Sequence, residues 1–437
     1  MSDIRFEGWL HRSGTGGVYQ DSAGNVGIAS TQPQTRLDIG NGAFQVGPAG
    51  ICTVTSVNVG TAATIHANGN VTCGIITTTN IVNSTQLSHR NIIVNGDMRV
   101  AQRGTSFTNI SDTGVIGSVD RMVMVGANLD EFAFAGKQTS DGPDGFSKCF
   151  EVDVTTAENA LDANDLAYIR YKIEGQDLVP LFNDDGTGKD FTLSFYVKAY
   201  QAGTYQLNIY KSTGPRFISK TYTVAASATW QRIEIPFTGD TNTSGMNDNT
   251  SVGFQIAWML VAGTDYTSGS LQNWGGWPGN SGFAAGHAVN VASSANNYFR
   301  ITGIQLEAGS VATPFEHLSF QENYLRCARY YLQMTRLPVM SNRLAGYVSC
   351  TSRINPVPMR AVPSLSIAGT ITFNSFFYGG GQPTSTTAPG LQNNGDAGAP
   401  YGADYFIVNF SGFSSSNFQT NEFGEVFGTT IKLDSEL

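Results

Sequence analysis

Apolar and polar residues alternate with a period of two through the middle of this chain, the pattern of strands with one buried face. Ala167, Ile169, Tyr171 and Ile173 make one stripe. Phe191, Leu193, Phe195 and Val197 make another, with Thr192, Ser194, Tyr196 and Lys198 opposite. Tyr205, Leu207 and Ile209 follow a turn at Gly203, and Ile233, Ile235 and Phe237 follow Trp230. Val252, Phe254, Ile256, Trp258 and Leu260 form the longest stripe. Strands with one apolar and one polar face predict a two-sheet sandwich. In YFRITGIQLE the apolar phase shifts between Ile301 and Ile304, which a bulge at Gly303 explains.

The flanks read differently. Residues 1–90 hold short apolar pairs between Gly, Asn and Thr. GICTVTSVNVG at 50–60 and GNVTCGIITTTN at 69–80 look like copies of one unit, each a strand bounded by turns. Such thin strands bury little alone, so three chains wrapped about an axis would pool their apolar faces. The bland alternative is an irregular Gly-rich linker. At 319–333 the period changes to a helical one: Phe320, Tyr324, Ala328, Tyr331 and Leu332 share a face, and Ser319 and Glu322 stand at capping-box spacing. Prolines then stop the helix. ITFNSFFYG, YFIVNFSGF and VFGTTIKLD are strand-like again, with a Gly/Pro/Asn-rich surface loop expected at 379–402. The layout is mainly β: a thin N-terminal trimerising region at 1–90, a β-sandwich at 91–318, a connecting helix at 319–337 and a C-terminal β domain at 338–437.

Composition narrows the setting. Charged residues make up 14% of the 437, against about 25% in ordinary soluble domains. With net charge −9 and no Lys/Arg cluster, nucleic-acid binding is not expected. The densest cations, Arg326, Arg329 and Arg336, read as the solvated side of the helix. The five Cys show no CxxC and suggest free buried thiols in a chain made in a reducing cytosol. MSDIRFEGWLHR lacks a signal-peptide core, and no apolar run approaches the ~18 residues of a membrane span.

Several motifs then bear on family. The sandwich opens with NIIVNGDMRVAQRGTSF and closes with YFRITGIQLEAGSVATPFEH. The most specific parts are Asn95-Gly96-Asp97 with Gln102-Arg103-Gly104-Thr105, and Gln305-Leu306-Glu307-Ala308-Gly309 with Thr313-Pro314-Phe315-Glu316. Upstream lies GNVGIASTQPQTRLDIG, and downstream come Cys327 and Arg329-Tyr330-Tyr331. Together these resemble the fibre and minor tail structural proteins of tailed bacteriophages, including phages of cyanobacteria, with their carbohydrate-binding-module-like jelly roll. The ending KLDSEL resembles the terminus of the same proteins and suggests a natural C-terminus. The resemblance implies a homotrimeric virion fibre, attached to other tail or capsid proteins by its N-terminus, with distal β domains facing host polysaccharide. The repetitive part is short, which suits a short fibre.

Candidate chemistry follows. Asn95, Asp97 and Glu307 sit at the two ends of the sandwich and would converge if its first and last strands are neighbours. Related carbohydrate modules hold a structural calcium at such a place, where oxygen ligands suit a hard cation. The competing reading is an Asn-Gly-Asp turn. Trp274 and Trp277 flank two glycines in QNWGGWPGN, with Tyr266 nearby, and such rings can stack on sugar faces. They can equally pack the loop onto the sandwich. No HExxH, GxSxG or phosphate-cradling loop occurs, and the five His are scattered, so no enzyme and no further cofactor is expected. The expected function is adsorption of a virion to host glycans. An architectural role in tail or capsid without a receptor, and a glycan-degrading tailspike, are the alternatives.

Overall fold

The computed structural model describes residues 88–108 and 118–342, with shorter pieces at 8–10, 17–28, 37–39, 44–46, 52–53, 56–59, 63–66, 71–73, 347–350, 357–361, 363–367, 369–375, 384–385, 390–391, 408–410, 423–428 and 430–436. The chain divides into two units, Met1–Val82 and Asn83–Leu437.

The first unit is built of strands two to four residues long, six in one sheet and three in another. Val26–Ile28 and Leu37–Ile39 pair in parallel; the other pairs are antiparallel. The stretch 50–60 contributes two strands, Cys52–Thr53 and Ser56–Val59, to different sheets rather than the single strand expected, while 69–80 contributes Val71–Cys73. Val18 and Ile28 are cross-strand partners, yet 41% and 39% exposed.

The second unit opens with the jelly-roll sandwich. Its strands are β1 (Ser106–Thr108), β2 (Val123–Ala127), β3 (Ala133–Thr139), β4 (Cys149–Thr156), β5 (Leu166–Glu174), β6 (Phe191–Ala199), β7 (Gly203–Lys211), β8 (Arg216–Val224), β9 (Gln231–Phe237), β10 (Val252–Ala262) and β11 (Tyr298–Ala308). They form a six-stranded sheet, β1-β3-β4-β11-β6-β9, and a five-stranded sheet, β2-β5-β10-β7-β8. The alternating stripes point inward: Ile169, Leu193, Phe195, Leu207, Ile256 and Trp258 are fully buried in one core. Phe191 stacks on Phe237 at 5.1 Å, and Phe195 meets Trp258 edge-on at 5.9 Å. The bulge lies where the phase shift placed it. The β6–β11 register slips between Ser194 and Tyr196, and Gly303 adopts φ +61° against Phe146 and Tyr196.

The polar side of β6 does not face solvent throughout. Thr192 and Ser194 are buried, as are Gln305 and Glu307 on β11. Residues 309–316 fold back over them: Thr192 donates to the Gly309 carbonyl, and the Glu307 carboxylate accepts from Thr313 N and Oγ1. The opening segment lies along β11. Ile92 N donates to the Leu306 carbonyl and Ile304 N to the Gly96 carbonyl, both at 3.0 Å. The Asn91 amide donates to Ile304 O and accepts from Leu306 N and Ile93 N. A Cβ on Gly96 would fall 2.2 Å from Ile304 O, so only glycine permits this approach.

The helix covers Phe320–Ala328, with the Ser319 hydroxyl accepting from Glu322 N. The expected continuation to residue 333 is corrected. Tyr331–Met334 is a strand paired with Ile431–Asp434, where Leu332 joins a second core with Met359, Ile371, Phe373, Val426 and Leu433. Long-range pairing overrides the helical spacing there. Arg329 is likewise not a solvated cation: its Nε and Nη2 hold both oxygens of the fully buried Glu174 at 2.8 Å. Ser364–Ile367 pairs with the other edge of Ile431–Asp434, and the remaining C-terminal strands among the described residues form a seven-stranded sheet. Most of the 379–402 loop lies outside the described residues. Of the cysteines, Cys149 and Cys327 are free and buried. Among the described residues no helix is long and apolar enough to cross a membrane.

Asp120, 1% exposed, accepts from Gln102 N and Nε2. Burial pushes its carboxyl up to about 6, against those hydrogen bonds. The unfolded chain protonates this group only near 3.8. As pH falls from about 6 to about 4, the folded state takes up a proton that the unfolded chain does not, so this group adds stability in that window. Urea unfolding of wild type and Asp120→Asn at pH 6.5 and 4.5 should therefore show wild type gaining on the variant by about 2 kcal/mol at the lower pH. Parallel pH profiles would contradict it.

Candidate functional site

The three oxygen-bearing residues at the ends of the sandwich are buried, and Asn95 and Asp97 share Asn323, whose Oδ1 accepts from Asn95 N, while Glu307 has other partners. Asn95 sits at φ 61°; its Oδ1 accepts from Val100 N and its Nδ2 donates to the carbonyls of Val100 and Asp120. Asp97 accepts from Asn323 Nδ2 at 2.6 Å, and burial pushes its carboxyl up. Glu307 is held by Gln305 and Thr313. Among the described residues, no three Asp, Glu, His or Cys side chains are arranged to hold a metal ion.

The aromatic loop divides in two. Trp274 packs against the core near Phe191 and Phe254, at 6.4 and 6.1 Å, and its Nε1 donates to Thr238 O. Its own carbonyl accepts from Arg216 Nη2, whose guanidinium also pairs with the buried Asp240. Asp240 is in turn bound to the buried ammonium of Lys211 at 2.9 Å. The loop then extends the sheet edge: Phe217 and Gly275 exchange two backbone hydrogen bonds, and Ser219 N donates to Gln272 O. This fixes Trp277 over β8. Its ring, half exposed, lies 5.6 Å from Phe217, 5.7 Å from Phe283 and 6.1 Å from Tyr210. Tyr266 is partly buried within the same apolar cluster as Tyr168, Phe217, Met259 and Phe283. Burial and the carboxylates of Asp265 and Asp165 raise its phenol pKa.

That cluster covers one part of the outer face of the five-stranded sheet. Beside it a strip stays partly open. Lys172 on β5 faces Gln255 on β10, Gln255 faces Tyr210 on β7, and Tyr210 faces Phe217 on β8. Directly opposed residues share one face of a sheet, so these side chains form a row ending under Trp277. One step along, Arg170 lies opposite Val123 and Ala257. Tyr210, Gln255, Lys172 and Arg170 are each partly exposed. Phe217, fully buried, belongs to the covered cluster, so the open part of the row combines the Tyr210 ring beside Trp277, a carboxamide with both donor and acceptor, and two cations. A ring with hydroxyls at its rim fits such a strip: its apolar face meets Tyr210 and its hydroxyls meet Gln255.

Sequence reasoning located Trp277 but missed Tyr210, Gln255, Arg170 and Lys172. Their signal lay in the outward positions of the same alternating stripes. Arg170 and Lys172 interleave with Ile169, Tyr171 and Ile173, and Gln255 stands between Phe254 and Ile256.

No protein-family model and no curated protein matches the chain. Among solved structures it is similar to the enzymatically active domain of tailspike protein 4 of bacteriophage CBA120, at 11% identity over 50% of this chain and 21% of that one, with TM-score 0.27. It is similar to the family 11 carbohydrate-binding module of Clostridium thermocellum in complex with a β-1,3-1,4-mixed-linked tetrasaccharide, at 14% identity over 48% of this chain and 99% of that one, with TM-score 0.25. It is also similar to TmCBM61 in complex with β-1,4-galactotriose, at 11% identity over 50% and 99%, with TM-score 0.25.

The two tryptophans should respond unequally to truncation. Trp274→Ala removes a partly buried ring packed against the core and should cost about 2 kcal/mol. Trp277→Ala, at a half-exposed ring, should cost about 1 kcal/mol or less. Denaturant titration checks this, and equal losses would contradict the placement of the loop.

Proposed function

We propose that this chain is a non-catalytic, glycan-binding structural protein of a tailed-phage particle, and that the open strip of the five-stranded sheet is where glycan lies. The observation that carries the binding reading is the row Lys172–Gln255–Tyr210–Phe217 with Trp277 over its end. It is flat, aromatic and polar at once, and it stands on strands whose inner residues are fully buried. Such a surface is already ordered before a ligand arrives, which limits the entropy lost on binding. The virion assignment is supported by the motifs at the two ends of the sandwich, which resemble those of phage fibre and minor tail proteins.

Self-association fits the first unit. Among its described residues, the paired Val18 and Ile28 stand exposed side by side. We assign these residues to contacts between copies in a homotrimer, whose three weak sites would act together on a cell surface. The second unit then adsorbs to host polysaccharide.

Two measurements test this reading. In affinity electrophoresis through gels containing host surface polysaccharide, the full chain should be retarded. Tyr210→Ala should weaken that retardation about tenfold. Retardation unchanged by Tyr210→Ala would remove the strip from consideration. Sedimentation equilibrium should return three times the protomer mass, and Val18→Asp with Ile28→Asp should lower it. A monomeric wild type would overturn the trimer.

A further inference from the structure

The outer face of the six-stranded sheet is not closed along its whole length. The loop between β3 and β4 is tied to β11 and β6 by Asp141, which accepts from Arg300 and from Lys198 Nζ. Beside that tie the loop leaves a groove of about 450 Å³, lined by Gly142, Pro143, Asp144, Tyr196 and Trp230.

The two rings of this groove are held from behind. Tyr196 stands on β6 with Phe146 at 5.1 Å, and Phe146 is packed in turn by Phe315 and His317, each at 5.0 Å. The bulge at Gly303 makes room for the pair, since a Cβ there would fall 2.8 Å from both rings. Trp230 immediately precedes β9, the strand beside β6. Its Nε1 is buried beside the Asp141 carboxylate, so what its side chain offers the groove is ring carbon. Tyr196 and Trp230 are each partly exposed.

The charges around the groove narrow the ligand. The neighbouring cations are already engaged: Lys198 by Asp141, Arg300 by Asp141 and Glu151, and Arg232 by Glu234 and the Thr313 carbonyl. The one charged side chain in the lining is Asp144, which is exposed. A carboxylate accepts from hydroxyls and repels an anion. Aromatic carbon beside such an acceptor suits a ring with hydroxyls at its rim and no negative charge.

We propose that this groove is a second glycan site, taking an uncharged sugar unit against Tyr196 and Trp230 with hydroxyls donating to Asp144; this rests on the glycan-binding reading above. The two sites stand on opposite sheets of one sandwich. One chain then holds polysaccharide at two places, and the second contact raises retention on a polymer without a tighter bond at either.

The test is affinity electrophoresis of the full chain through gels holding dextran, galactomannan, hydroxyethyl cellulose or host surface polysaccharide. With the strip disabled by Tyr210→Ala and Trp277→Ala, retardation in at least one of these should fall but persist. Adding Trp230→Ala should weaken the remainder about tenfold, and Trp230→Phe in its place should recover part. Asp144→Lys, at an exposed loop residue, should weaken it too and supplies the comparison if Trp230→Ala melts early. Full retardation without the strip and none without the groove would keep this inference and remove the strip. Loss of all retardation when the strip alone is disabled, or a remainder untouched by both groove substitutions, overturns the second site and leaves the glycan reading standing. A remainder seen only with an anionic polymer, dextran sulfate or polygalacturonate, overturns the assignment to uncharged sugars. Wild type retarded in none of the gels overturns the glycan reading and this inference with it.

Discussion

The sandwich depends on the stitching of its opening segment to its last strand. The Asn91 amide bonds to Ile304 O and Leu306 N on one edge of β11, the Glu316 carboxylate accepts from His89 N and Asn91 N, and Gly96 lets its carbonyl reach Ile304 N. Their partners lie more than 200 positions away in the chain, and the Asn91 bonds to Ile304 and Leu306 are buried, where a polar group left without its partner is costly. The same closure brings residues 309–316 over Thr192, Ser194, Gln305 and Glu307. Part of the polar side of the six-stranded sheet is thereby removed from solvent. The strip proposed for glycan lies on the other, five-stranded sheet.

On that sheet the division between covered and open surface is set by one loop. Residues 263–287 bring Tyr266 and Phe283 over Tyr168, Met259 and Phe217 and close an apolar cluster. Trp277 stands at the boundary, with one side of its ring on Phe217 and Phe283 and the other half exposed. The loop is held there by the Phe217–Gly275 pairing and by the Lys211–Asp240–Arg216 group beneath it. A buried ion pair of this kind contributes little net stability against an apolar replacement, but breaking it strands a charge. Its use here is positional: it fixes where the open strip ends.

Much of this was legible in the residues. Period-two alternation located the inward faces of β5, β6, β7, β9 and β10, and a single phase shift placed the bulge at Gly303, because both follow from local backbone geometry. The capping box marked where the helix starts. Its end was not legible, since Tyr331 and Leu332 keep helical spacing while their backbone pairs with a strand about a hundred residues later. The ion-pair role of Arg329 was hidden for the same reason. At the candidate site, Trp277 could be singled out from the motif QNWGGWPGN, whereas Tyr210, Gln255 and Lys172 became a row only once the registers of β5, β10 and β7 were fixed. Register is a tertiary property, and a slip of one residue would turn each of these side chains inward.

Hydrogen–deuterium exchange of the full chain, with and without a bound polysaccharide, tests the central claim most directly, since it reports where backbone is stabilised without altering any residue. The account predicts added protection in β5, β7 and β10 around Lys172, Tyr210 and Gln255 and in the loop at 272–279. Protection confined to the six-stranded sheet, or to the region after the helix, would contradict it.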